Sequence, residues 1–415
     1  MVTVRPFAAL RPAPGREADV VAPPYDVVSR AEARALAAGR PWSFLRVSRP
    51  ELELAEPLDP YSAEVYARAR GNLESFVAQG VLVRDAEPGF SIYRQTLDGR
   101  SQTGLVATVS IDEYASGLIK QHELTTVDKE ADRIAHFDAA DANTEPIFLT
   151  YRARASIDAL VSGWVGSRAP DCDLTTDDAV THQIWKVTAS AAVASLEAAF
   201  GDVPALYIAD GHHRAASAAK VGQRRRAARP GWTGDEEFNY VMAVVFPDEQ
   251  LRVFDYNRVV KDLGGLTPAG LLAGLAADFS VEVVGGAGAP HRPARKGEFG
   301  MFLDGKWHAL RVRDGVADPA DPVASLDVAV LQARVLAPLL GVANPRADGR
   351  IAFVGGSRGL AALEAAAGAS GVAFAVHPVA VQDLASVADA GQIMPPKSTW
   401  FEPKLASGLF IHELA

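Results

Sequence analysis

The stretch Ala205-Leu-Tyr-Ile-Ala-Asp-Gly-His-His-Arg214 constrains the fold more than any other, because an apolar run stops at Asp210-Gly211 and a run of helix formers begins. Leu206, Tyr207 and Ile208 read as a short buried strand, Gly211 permits a tight or left-handed turn, and Arg214 to Lys220 favours helix. This order places Asp210, His212, His213 and Arg214 at a helix N-terminus. Free backbone N–H groups and the positive end of the helix dipole favour phosphate or carboxylate there, and a guanidinium grips such anions with two prongs. A bare turn needs only the Asp-Gly pair. The added imidazoles and guanidinium make the loop a phosphate-handling candidate.

A chain of 415 residues, 48% of them hydrophobic, is long enough for two to three domains with a large core. Its net charge of −10 argues against general binding to nucleic acid or an anionic membrane, so any anion site must be local. The single cysteine, Cys172, excludes an internal disulfide and a cysteine-zinc cluster. No apolar run approaches the length of a spanning helix, and the first residues lack a leader pattern, so a cytoplasmic location is expected.

Alternating strand and helix patterns predict a mixed α/β chain in three parts, 1–115, 116–262 and 263–415. Val21-Ala-Pro-Pro-Tyr-Asp-Val-Val28 is an extended turn followed by a helix that Ser29 is placed to cap, and Tyr61 to Gln79 has helical spacing. Phe90 to Thr96 and Gly104 to Ser110 form a predicted hairpin around Asp98-Gly99. Val241 to Phe246 and Leu251 to Tyr256 read as paired strands, residues 285–296 as an exposed connection, and Leu326 to Leu340 as a helix.

Two further clusters carry chemistry. Lys120 to Arg133 is dense in acid, base and cation; as a helix it sets Lys129 and Arg133 four residues apart on one face, open to one anion or to ordinary surface pairing. Met394 to Lys404 combines Lys397, Ser398 and Thr399 between prolines, as a phosphate site or a structural clamp, without the glycines of a Walker loop. The zinc-protease His-Glu-x-x-His pattern, the Gly-x-Ser-x-Gly elbow and a dinucleotide fingerprint are all missing.

Six motifs in order resemble the DUF1015 family: Ala22-Pro-Pro-Tyr-Asp-Val-Val28, Ser43-Phe-Leu-Arg-Val-Ser-Arg-Pro-Glu51, Ile119-Lys-Gln-His-Glu-Leu-Thr125, Lys129 with Asp132-Arg133, Ala209-Asp-Gly-His-His-Arg214, and Met394 to Lys404. The Asp-Gly-His-His-Arg loop is similar to that of the ParB/sulfiredoxin superfamily, which includes free serine kinases, CTP-binding partition proteins and sulfinic-acid reductases. That resemblance implies a ParB/sulfiredoxin-like nucleotide-binding core with α/β segments at both ends. His212 or His213 stands where sulfiredoxin carries its nucleophilic cysteine, and β-like segments follow where a partition protein has a helix-turn-helix. Both activities are therefore set aside.

The resemblance implies a kinase using ATP or ADP with Mg2+ on the hydroxyl of a small metabolite, most simply free L-serine. Asp210 is then the magnesium and catalytic candidate, and Gly211, His212, His213, Arg214, Lys129, Arg133, Lys397 and Lys404 are the phosphate candidates. Glu123, with His122 second, is the expected base; Tyr25, Asp26, Ser398 and Thr399 are substrate candidates. The alternatives are a nucleotide-binding regulatory protein without turnover and a phosphate- or metal-dependent hydrolase. The expected partners are nucleotide and small molecule, with neither nucleic acid nor membrane; the oligomeric state is not legible.

Overall fold

Asp98 and Gly99 both have positive φ, 53° and 73°, so two residues reverse the chain between strands Phe90–Leu97 and Arg100–Ser110. That geometry matches the twist of the strands it joins. The computed structural model describes residues 1–55 and 58–415, and its chain forms two compact units.

The first unit comprises residues 1–121, 125–251 and 403–415. Its mixed sheet has nine strands, and a path through eight of them runs Ile119–Lys120, Leu206–Asp210, Ile147–Tyr151, Tyr240–Pro247, Arg100–Ser110, Phe90–Leu97, Thr181–Val187 and Cys172–Thr175. Val4–Arg5 pairs beside Arg100–Ser110. Leu206–Asp210 runs parallel to Ile119–Lys120 and antiparallel to Ile147–Tyr151. Ile92, Leu105, Ile147, Leu149, Trp185, Phe200 and Ile208 form the apolar centre. A satellite core of Val20, Phe44, Leu45 and Phe76 packs the N-terminal helices.

Ser29 caps helix Arg30–Ala37 through a reciprocal box: its hydroxyl accepts from the Glu32 N–H at 3.2 Å, and its own N–H donates to the Glu32 carboxylate at 2.7 Å. Such a cap satisfies two orphan donors of the first turn. Residues Val127–Ala140 form a helix, so Lys129 and Arg133 stand one turn apart.

The second unit, residues 122–124 and 252–402, carries a six-stranded antiparallel sheet in the order Phe279–Gly286, Lys306–Val312, Glu298–Leu303, Val372–Val376, Tyr256–Val260 and Ile351–Gly355. Val259, Trp307, Leu363 and Ala373 belong to its core. Among the described residues no helix is long and apolar enough to cross a membrane.

The mixed α/β class is as expected, but three local readings change. Tyr240–Pro247 and the segment after it do not pair: Asp248–Gln250 forms a 3-10 turn, Val253–Phe254 pairs with Trp400–Phe401, and Tyr256–Val260 enters the second unit's sheet. Gly285 and Gly286 close a strand rather than belonging to a connection. Helix Asp327–Leu331 loosens into a π-helical turn over Gln332–Leu336. The divisions at 115 and 262 also differ from the units, because strands on both sides of 115 share one sheet and residues 403–415 return to the first unit.

Candidate functional site

Strand Leu206–Asp210 ends with a register shift between Ile208 and Asp210 against its neighbour. An irregularity of this kind re-aims side chains at a strand end. Gly211 follows at φ 91° and ψ 30° as the N-cap of the 17-residue helix His212–Ala228. A Cβ on Gly211 would lie 3.0 Å from Arg214 Nε, so the missing side chain makes room for the guanidinium.

Arg214 is 3% exposed. It donates to the Pro146 carbonyl through Nη1 and to Asp210 Oδ2 at 3.3 Å through Nη2. Lys404 Nζ approaches the same carboxylate oxygen at 3.7 Å, which ties the end of the C-terminal motif to the loop within the first unit. The Asp210 side chain is 32% exposed. Burial works to lower the Arg214 pKa, but Asp210, Asp26, Glu145 and Tyr25 outweigh it and the guanidinium stays charged.

Arg133 is another buried cation of the first unit. Its Nε and Nη2 donate to Asp132 Oδ2 at 2.9 and 2.8 Å, and its guanidinium carbon sits 4.0 Å from the centre of the Tyr25 ring. Nη1 is buried without a hydrogen-bond partner. Burial opposes its charge, while Tyr25, Asp132 and Glu145 hold it and raise the pKa overall. A charged donor left unpaired in the interior is costly unless a further acceptor joins it.

The Pro-Pro-Tyr-Asp turn is fixed from the Ser43–Glu51 motif: Arg49 Nη1 donates to the Tyr25 and Val28 carbonyls, both at 2.8 Å, and Arg49 Nε to Glu51 at 2.5 Å. Tyr25 is half-buried and Asp26 exposed. Burial raises the Tyr25 phenol, opposed first by Arg133. Glu145, which sequence reasoning missed, is 2% exposed and accepts from Ser407 Oγ at 2.6 Å and Tyr25 N at 3.3 Å. Burial raises its pKa against the pull of Arg214, Ser407 and Arg133. Its only sequence signal is an acid before Pro146 at the head of a buried strand.

The two histidines separate. His212 is 6% exposed, and burial depresses its pKa to about 4, with Asp210 opposing and His213 and Arg214 reinforcing the shift. It is therefore neutral at pH 7. His213 Nε2 accepts from the Thr126 N–H at 3.0 Å, where Thr126 is the N-cap of helix Val127–Ala140. Lys129 is exposed in the first turn of that helix, whereas Arg133 one turn later is buried. Two arginines of the basic run after them are paired: Arg226 forms a two-pronged pair with Asp112 at 2.7 and 2.8 Å, and Arg225 binds Asp138 and Asp141.

The second unit brings together two other clusters. Buried His122 lies 3.3 Å from Thr399 Oγ1 through Nε2, and its carbonyl accepts from Met394 N at 2.9 Å. Ser398 Oγ donates to the Pro395 carbonyl at 2.6 Å. Lys397 adopts φ 56° with its ammonium 5.7 Å from the centre of the Tyr256 ring. Glu123 is half-buried in the same short segment as His122.

Among the described residues no group of three His, Cys, Asp or Glu side chains is arranged to hold a metal. Magnesium in phosphoryl transfer takes only one or two carboxylates and completes its shell with waters and nucleotide phosphates. The partly exposed Asp210 carboxylate fits that requirement.

This is a mixed α/β protein whose Asp-Gly-His-His-Arg loop lies at a helix N-terminus. The chain belongs to the DUF1015 family, described as a protein of unknown function, with the match extending over residues 4–329. No curated protein matches it. It is similar in structure to SbnI with a C-terminal truncation from Staphylococcus aureus, at 12% identity over 73% of this chain and 85% of that one, with a TM-score of 0.40. A free serine kinase in complex with AMP aligns at 13% identity over 71% and 86%, with a TM-score of 0.34. A conserved hypothetical protein from Pyrococcus furiosus aligns at 15% over 74% and 94%, with a TM-score of 0.35.

Proposed function

We propose that the protein is a nucleotide-dependent phosphotransferase whose first unit binds the donor's phosphates at the Asp210–Arg214 loop. The observation that carries this reading is Arg133 Nη1, a buried charged donor with no acceptor, in the same unit as buried Arg214 and Lys404 at a 17-residue helix's N-terminal loop. Arg133 and Arg214 both oppose the burial-driven rise of Tyr25 and Glu145, so positive potential gathers in this neighbourhood. Phosphoryl transfer asks little covalent chemistry of a protein, chiefly positioning and charge neutralisation.

In this reading ATP or ADP is the donor, and Asp210 holds magnesium, which when bound neutralises charge on the phosphates. Gly211 admits the Arg214 fork, and Lys404 and the helix N–H groups supply further positive potential. His212 contributes as a neutral donor or acceptor; His213 supports Thr126 and so the helix that carries Arg133. Tyr25 and Asp26 border the phosphate cradle in the first unit. On the family motifs alone, Glu123, with His122, is the proposed acceptor of the substrate proton, and Lys397, Ser398 and Thr399 are proposed substrate and phosphate contacts. Free L-serine is the favoured substrate on the loop's resemblance to the free serine kinases.

Calorimetric titration with magnesium and ADP tests the phosphate assignment. Wild type is expected to bind, and Arg133→Lys, which keeps the charge but loses the planar fork, to bind at least about tenfold more weakly. Equal affinity in the two proteins overturns the role of Arg133, and absence of any binding by wild type overturns the nucleotide reading.

A further inference from the structure

The second unit contains a cavity of about 680 Å³ that no part of the proposed phosphotransfer uses. Its volume suits a molecule of metabolite size. Asp327, Asp383, Lys296, Ser325 and Ser386 supply its polar side chains, and Val312, Pro322 and Val330 belong to its apolar wall.

Asp327 is 5% exposed. Its Oδ1 accepts from the Gly297 N–H at 2.8 Å, but Oδ2 is buried with no hydrogen-bond partner. Lys296 is already paired with Asp383 at 3.3 Å. Two carboxylates against one ammonium leave a single negative charge, and the unsatisfied atom is an acceptor. The complement to this lining is a group with one positive charge and an N–H to donate, attached to an apolar body. A metal ion suits the apolar wall poorly, and an anion would face both carboxylates. Burial pushes the Asp327 carboxyl up to about 6, opposed by the Gly297 N–H and Lys296 and reinforced by Asp383.

We infer that this cavity is a binding site for a small primary ammonium compound, whose nitrogen donates to Asp327 Oδ2 while its carbon skeleton lies against Val312, Pro322 and Val330. Asp383 lends a second negative charge and Lys296 limits the site to one positive charge. The site is separate from the proposed phosphotransfer residues, so its occupancy requires no nucleotide.

Saturation-transfer NMR on the full chain without nucleotide, using butylammonium and phenethylammonium with butanol and butyrate as matched controls, tests the inference. Both amines are expected to receive saturation and the controls not. Asp327→Asn keeps the acceptor for Gly297 and is expected to weaken amine binding at least about tenfold, as for loss of a hydrogen bond to a charged group. Ser386→Trp, placed at an exposed lining position, is expected to weaken it by filling the cavity. No transfer to either amine, equal transfer to the alcohol, or undiminished binding in both variants overturns the proposal. None of these outcomes bears on nucleotide binding, which is read in the separate titration.

Discussion

Gly211→Ala tests how the loop's backbone and its cation depend on each other. At φ 91° and ψ 30° an L-residue is strained, by about 1–2 kcal/mol for a left-handed conformation. The added Cβ would also stand 3.0 Å from Arg214 Nε and 3.1 Å from Nη2. That spacing is tight, so the guanidinium must yield, and its contact with Asp210, already 3.3 Å, is the one to open. The expected fall in Tm is about 2–8 °C, taking about 2–4 °C per kcal/mol for a unit of this size. Displacement of Arg214 is expected to weaken magnesium-ADP binding about tenfold or more, equivalent to about 1.4 kcal/mol.

Gly71→Ala is the control, because Gly71 lies inside helix Ala63–Ala78 with nothing within 4 Å of its added Cβ. It should stabilise by about 0.5–1 kcal/mol and leave binding alone. Thermal melts and calorimetry on the two variants read both effects. If Gly211→Ala melts and binds as wild type does, the link drawn between the left-handed turn and Arg214 is wrong.

Two more predictions concern buried titratable groups. The rise of Asp327 from 3.8 to about 6 means that its ionised form destabilises the folded state by up to about 3 kcal/mol above pH 6, a penalty that fades as pH falls toward 4. Asp327→Asn should therefore be more stable than wild type in urea at pH 7.5, with the difference shrinking at pH 5; a less stable variant at pH 7.5 contradicts this. His212, depressed to about 4, should keep nearly constant ring nitrogen shifts between pH 8 and 6 and complete most of its titration below pH 5. Its contribution to stability is then present above pH 6.5 and lost as pH falls through 4, and a ring that titrates near neutrality would contradict its buried, neutral state.

Short-range chemistry was legible in the sequence. The strand, turn and helix around Asp210, the two-residue hairpin at Asp98-Gly99 and the cap at Ser29 each rest on residues a few positions apart, where φ preference and capping act directly. Pairing across long separations was not. The run from Leu251 to Tyr256 carries β-favouring residues but no register, and the turn at Asp248–Gln250 sends it away from the Tyr240–Pro247 strand. Lys404 meets Asp210 and Ser407 meets Glu145 only because residues 403–415 fold back into the first unit. Glu145 escaped notice for the same reason: a single acid between Thr144 and Pro146 has no periodicity, and its role depends on Tyr25, Arg133, Arg214 and Ser407, gathered from distant parts of the chain.

A phosphorus NMR time course tests phosphotransfer most directly, with wild type and Asp210→Ala each mixed with magnesium, ATP or ADP, and L-serine, homoserine, threonine or glycerate. The predicted result is a new phosphomonoester resonance with L-serine, growing beyond the amount of enzyme and absent in the variant. Donor that stays intact with every acceptor, while wild type still binds nucleotide, would contradict the kinase and leave a protein that senses nucleotide without turning it over.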